Sequence, residues 1–277
     1  MKKLVLILLT MILCLGLFVG CSSTPMQKQI NQTWGDYEFY TYNVLDTKQS
    51  NVVVGAYTVK VERIDNETVT FGARTLENLI GTKITAVLTM LNGDNFESIS
   101  VFNNKSIPKA SYKKTNIKNE NGELVTTTSY CEYTAKELEY VFNDVTTKIN
   151  LPKHSKSPYY DNESIYQFIR SLPLSQKVSF PFKSKLWGEN TLANLTVSSS
   201  NSVILKDIPI LPGKEGEEKS GINAYIVSIA RKLDFNATGV TIQAFYAKES
   251  INGIPTPLVK IVQDNLAYVL VSATTTK

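Results

Sequence analysis

Most of the chain alternates apolar and polar residues, the period of a half-buried strand. Tyr37, Phe39 and Thr41 alternate with Glu38, Tyr40 and Tyr42, and Tyr57, Val59 and Val61 with Thr58, Lys60 and Glu62. Asp65-Asn66-Glu67 reads as a turn, with Val69, Phe71 and Ala73 as the return strand of a hairpin. Ile84, Ala86, Leu88 and Met90 form another apolar face, closed by Asn92-Gly93-Asp94 and followed by a strand over Phe96 to Phe102. Asn119-Glu120-Asn121-Gly122 turns the chain between Ser111–Lys118 and Glu123–Tyr133, and Leu138, Tyr140 and Phe142 carry one more strand.

Leu151-Pro152-Lys153-His154-Ser155-Lys156-Ser157-Pro158 breaks the pattern, and the period then changes. Ile165, Phe168, Ile169 and Leu172 fall at helical spacing. Asp161 stands where an N-cap would stand, Glu163 puts negative charge in the first turn, Arg170 puts positive charge in the last, and Pro173 stops the helix. Strands resume over Leu174 to Lys183, where Pro181 marks an edge or a strand end. Thr191–Ser198 and Ser202–Ile208 read as the next pair, followed by the charged loop from Pro212 to Gly221. Ala224–Leu233, Val240–Ala247, Pro257–Val262 and Leu266–Ser272 close the chain. The expected fold class is mainly β: an antiparallel meander with one central short helix.

The N-terminus follows other rules. Met1-Lys2-Lys3 is a basic start, and Leu4 to Val19 is an uncharged apolar run, short for a membrane span and typical of a secretory signal. Phe18-Val19-Gly20-Cys21 resembles a bacterial lipobox, with Phe18 where Leu is usual. The resemblance implies a lipoprotein signal peptide over 1–20 and a lipidated tether over 21–33 starting at Cys21; the strand pattern that follows marks a β-rich domain over 34–272. That domain has two halves, 34–150 and 174–272, joined by the loop and helix at 151–173. Several acyl chains on Cys21 would anchor the chain stably, each buried methylene contributing about 0.8 kcal/mol. Expected membrane attachment is thus through lipid on Cys21, with the body in the cell envelope outside the cytoplasm, at the outer membrane if the source is Gram-negative.

Composition removes several function classes. The formal net charge is only +4, and Lys2 and Lys3 of the leader contribute two of it, too little to argue for nucleic acid. The single histidine, His154, lies in a Lys/Ser/Pro loop, and no Gly-x-Ser-x-Gly elbow is present. One His with Cys131 does not make a common zinc set. The expectation is a non-enzyme with no catalytic residue, metal or cofactor. Cys131, in an alternating stretch, reads as a buried structural thiol. The many Tyr and Phe at alternating positions read first as core, and second as one side of an apolar groove between sheet and helix. Ile165, Phe168, Ile169 and Leu172 are the candidate groove residues, suited to a hydrophobic or lipid-like ligand. The alternative is an envelope interaction or assembly module with a filled core, whose partner is another protein.

Taken together, several short stretches resemble the DUF3108 family of bacterial envelope proteins. They are Tyr37–Val44, Val54-Gly55-Ala56-Tyr57-Thr58-Val59, Tyr160-Asp161 with Ile165-Tyr166 and Ile169-Arg170, Leu172-Pro173-Leu174, Val178–Phe182, Ala244–Lys248, Asn252-Gly253-Ile254-Pro255 and Leu258-Val259-Lys260. The resemblance implies a strongly curved antiparallel sheet, an open half-barrel similar to the LolA/LolB lipoprotein carriers, with the helix on its concave side. It implies no defined activity.

Overall fold

The computed structural model describes residues 35–104, 107–134, 136–151, 159–160, 164–176, 178–185, 192–209, 221–232 and 238–276. They form a single 14-stranded sheet with one short helix, α1 (Ser164–Ile169). In chain order the strands are β1 (Tyr37–Asp46), β2 (Val52–Phe71), β3 (Arg74–Met90), β4 (Asn95–Phe102), β5 (Pro108–Lys118), β6 (Leu124–Tyr133), β7 (Glu137–Phe142) and β8 (Val145–Asn150), then β9 (Ser179–Lys185), β10 (Leu192–Leu205), β11 (Ile222–Lys232), β12 (Thr238–Ala247), β13 (Leu258–Gln263) and β14 (Leu266–Thr275). Every neighbouring pair is antiparallel. The spatial order runs from β8 down to β1, then β14 down to β9. The first strand therefore sits mid-sheet, between β2 and β14, and joins the two halves of the chain.

Strand alternation assigns the faces. Glu38, Tyr40, Tyr42 and Val44 of β1 are buried, and the register places Val61, Val59 and Tyr57 beside the first three of them. Ile84 and Ala86 continue this face on β3. These residues share one core with Tyr160, Ile165, Phe168, Ile169 and Leu172, so the helix packs on this inner, concave face. Farther along the same face, Cys131, Leu138, Tyr140 and Leu151 form a separate cluster.

The β2–β3 ribbon is too long to stay in the sheet. Twenty residues would span about 66 Å if straight. Instead the register shifts between Ile64 and Val69, and Asn66 takes φ 57°. The expected turn at Asp65-Asn66-Glu67 is thus a bulged bend within one strand; the reversal comes at Gly72-Ala73. A bulge sharpens local twist without ending the strand. On β3, Gly81 at φ 148° lets the ribbon bend, since a Cβ there would lie 1.8 Å from the Phe102 carbonyl oxygen. The bent tip lies on the outer face of β4–β7. Phe71 meets Tyr130, and Arg74 pairs with Glu139 at 2.6 Å. Ile64, Val69, Phe71, Val101, Ala110 and Tyr130 make a second core there.

One further expectation differs from the structure. Thr191–Ser198 and Ser202–Ile208 are not two strands: β10 runs unbroken through the Ser198–Ser202 region, with a register shift against β11 between Ser199 and Ser202. The polar run imitates a turn, but it accommodates a bulge. Strand β8, with exposed Val145, Thr146, Lys148 and Asn150, has no clear apolar face and carries no alternation from which a strand is expected. Pro181 lies in β9, at one end of the strand order, where a missing N–H costs no ladder bond.

β8 and β9 do not pair, so the sheet is not closed. Tyr159 reaches both ends: its backbone bridges Lys183 of β9, and its side chain packs on the Cys131–Leu138–Tyr140–Leu151 cluster.

Candidate functional site

The helix end contributes the most concentrated chemistry. Arg170 follows α1 and points inward. Its Nη1 donates to Glu38 Oε2 at 2.5 Å, to Gln167 Oε1 at 2.9 Å and to Tyr40 Oη at 3.0 Å. Its Nη2 donates to the Pro255 carbonyl at 2.8 Å and to Glu38 Oε1 at 3.3 Å. Tyr40 Oη donates to Glu38 Oε2 at 2.6 Å, and the Gly35 N–H donates to Oε1 at 3.1 Å. The sequence places Arg170 as a cation in the last turn of the helix; in the structure its guanidinium is wholly buried, and its charge is answered by Glu38 on β1. Burial acts to lower its pKa, but the acidic groups Tyr40 and Glu38 outweigh that and hold it above the usual arginine value. Burial likewise raises the Tyr40 phenol well above its ordinary value, and Arg170 only partly offsets this.

Every oxygen of Glu38 is used and the pair is sealed from solvent. Such a cluster fixes the helix against β1 and the segment before β13. Neighbouring tyrosines extend the clamp: Tyr42 Oη donates to the Leu258 carbonyl at 2.9 Å and Tyr246 Oη to the Tyr166 carbonyl at 2.9 Å.

Ile165, Phe168, Ile169 and Leu172 are brought together, all buried in the main core. Phe168 lies between Tyr160, with ring centroids 4.2 Å apart, and Phe180, at 5.2 Å. Cys21, His154, Asp161 and Glu163 lie outside the described residues. Cys131 is buried on the inner face, opposite Ser111 and Tyr140.

The inner face of the first half differs from that of the second. Going across from β3, one row reads Ala86, Ser98, Lys113, Ser129, Phe142, and the adjacent row reads Ile84, Ser100, Ser111, Cys131, Tyr140. Ser98, Ser100 and Ser111 are buried. Toward the β3–β4 turn, Leu88 and Phe96 face inward yet are only half-buried, as are Lys113, Thr115 and Phe142. Lys113 Nζ lies 4.5 Å from the Phe96 ring centroid, at cation–π distance. A polar, small-residue strip thus separates the helix-filled core from the Tyr140 cluster. Sequence reasoning passed over these residues because Ser and Thr in alternating strands look like outward positions. The available signal was phase: Ser98, Ser100 and Phe102 share parity, as do Ser111 and Lys113.

No family model matches the chain, and no curated protein matches it. Among solved structures it is similar to the crystal structure of a β-barrel-like protein of the domain of unknown function DUF1849 from Brucella abortus. The two are 10% identical with a TM-score of 0.52, over 87% of this chain and 98% of that one. At that identity the likeness is one of fold.

Proposed function

We propose that the chain is a non-enzymatic cell-envelope lipoprotein, tethered through lipid on Cys21, that holds a hydrophobic or lipid-like ligand on the concave face of its sheet. The observation that carries this reading is the unequal filling of that face. The helix packs into the side formed by β1–β3 and the second half, where Leu88 and Phe96 lie half-buried at the margin of the filled core, whereas Phe142 points inward from the other side, beside the Tyr140 cluster, and stays half-buried. Inward apolar side chains beside a rigid plug are what an amphiphile site requires. Membership of the DUF3108 group, with its carrier-like half-barrel, belongs to the same reading, as does placement at the outer membrane in a Gram-negative source. The candidate groove wall accordingly shifts from the helix residues toward β3–β7, with Phe168 and its neighbours as the backing.

Two measurements test it. Cys21→Ser should abolish incorporation of labelled palmitate; persistent labelling would remove the anchor. A fluorescent fatty-acid analogue should bind the protein saturably, and the absence of any saturable signal would count against the ligand.

The second reading, a docking module for another envelope protein, is favoured by the unpaired ends of the sheet. Among the described residues β8 presents one strand edge to which an extended segment of a partner adds, whereas the edge of β9 is partly taken by Tyr159 and Tyr160. Recovery of one stable partner by crosslinking at β8, with no ligand bound, would favour it.

A further inference from the structure

We propose that the serine strip and Lys113 form the headgroup end of the ligand site, and that the ligand is an amphiphile carrying a carboxylate, of the fatty-acid type. The inference rests on the ligand-binding reading above and specifies its chemistry. Three observations carry it.

The first is charge placement. At the paired inward positions of β4–β8, Lys113 is the one charged residue among the described residues. The carboxylates of these strands, Glu97, Glu132, Glu137 and Glu139, occupy the alternate positions and belong to the other face. A cation on an otherwise neutral, partly apolar surface selects an anion.

The second is an unsatisfied group. Ser100 is 3% exposed, and its Oγ has no hydrogen-bond partner among the described residues. Register aims it inward beside Ser111 and one row from Lys113. A buried hydroxyl without a partner costs free energy unless something supplies one. A carboxylate oxygen accepts from a hydroxyl and from an ammonium alike, so one headgroup satisfies both.

The third is the adjoining apolar wall. Phe96 lies against the Lys113 ammonium, and Leu88 faces inward directly opposite Phe96. Both are half-buried. An acyl chain leaving the headgroup toward the β3–β4 end runs over these side chains.

The full chain, held in phosphatidylcholine vesicles, is irradiated with a diazirine-bearing hexadecanoic acid or with its methyl ester, and labelling is titrated. The acid should half-saturate at a concentration at least about tenfold lower than the ester, the usual scale for one charge-assisted contact. Lys113→Met should bring the acid to the level of the ester, and Lys113→Arg should keep the preference. Retained burial of Cys131 toward thiol reagents shows that each variant is folded. Equal labelling by acid and ester in the unmodified chain would overturn the headgroup assignment while leaving a hydrophobic site in place. No saturable labelling by either would bring down the ligand reading itself. An unaltered acid preference in Lys113→Met would place the headgroup elsewhere.

Discussion

Arg170 and Glu38, 132 residues apart in the chain, meet as an ion pair whose side chains are 0% and 1% exposed. One lies at the end of the only α-helix among the described residues and the other near the start of the strand that joins the two halves of the sheet. The pair is what locks the helix onto the concave face.

Breaking that pair should be costly. Arg170→Met leaves the Glu38 carboxylate buried without its counter-charge and should destabilise the protein by about 3–5 kcal/mol. Glu38→Leu combined with Arg170→Met removes both charges and should recover at least half of that loss. Urea denaturation of the two single variants and the double variant measures the coupling. Additive losses would mean that the two residues act independently.

Alkaline pH should unlock the same core. Burial raises the phenols of Tyr40, Tyr42 and Tyr246 above the ordinary value of 10.0. The unfolded chain therefore loses these protons at lower pH than the folded one. Their contribution to stability is fully present below about pH 10 and is lost as pH rises toward the folded values. Circular dichroism and phenolate absorbance should change together above pH 10. Ionisation of all tyrosines with the fold intact would contradict the burial argument.

Glycine positions should separate by surroundings. Gly81→Ala places a Cβ against the Phe102 carbonyl in a conformation that side-chain-bearing residues rarely adopt. It should cost about 3 kcal/mol or more, in the range of severe backbone and packing changes. Gly122→Ala has φ 81° but open space around it, so only the left-handed backbone penalty of about 1–2 kcal/mol applies. Thermal melts of both variants compare them directly.

Cys131 should be inert. Its thiol is 5% exposed on the inner face, so in a chain carrying Cys14→Ser and Cys21→Ser, where it is the sole thiol, it should react with a thiol reagent only under denaturing conditions. Rapid reaction in native buffer would mean that the Ser111–Cys131–Tyr140 row is open to solvent.

These residues also mark how far the sequence could be read. Period-2 alternation located most strands, and Asn92-Gly93-Asp94 and Asn119–Gly122 located turns where side chains do cap the loop: Asp94 Oδ1 accepts from the Lys118 N–H at 2.9 Å and Asn119 Oδ1 from the Glu123 N–H at 2.9 Å. The errors came where polar residues serve a bend inside a strand. Asp65-Asn66-Glu67 and the Ser198–Ser202 run carry turn-like composition but sit at bulges, and only pairing with a neighbouring strand distinguishes the two. Arg170 failed for a different reason. A cation in the last turn satisfies the helix dipole whether it faces water or the core, and its partner, Glu38, is remote in sequence. The sign of that partnership was an acid in the same phase as Tyr40, Tyr42 and Val44. The serine strip was hidden because small hydroxyl side chains are equally at home on a solvated face and in a recess.

The proposed ligand is an amphiphile held on the concave face of β3–β7. Organic-solvent extraction of the purified protein, followed by mass spectrometry of the extract, tests it most directly. A carboxylate-bearing amphiphile should be recovered in roughly stoichiometric amount and reduced at least about tenfold in Lys113→Met. Extracts of the unmodified protein that contain no lipid beyond the acyl groups on Cys21 would contradict it.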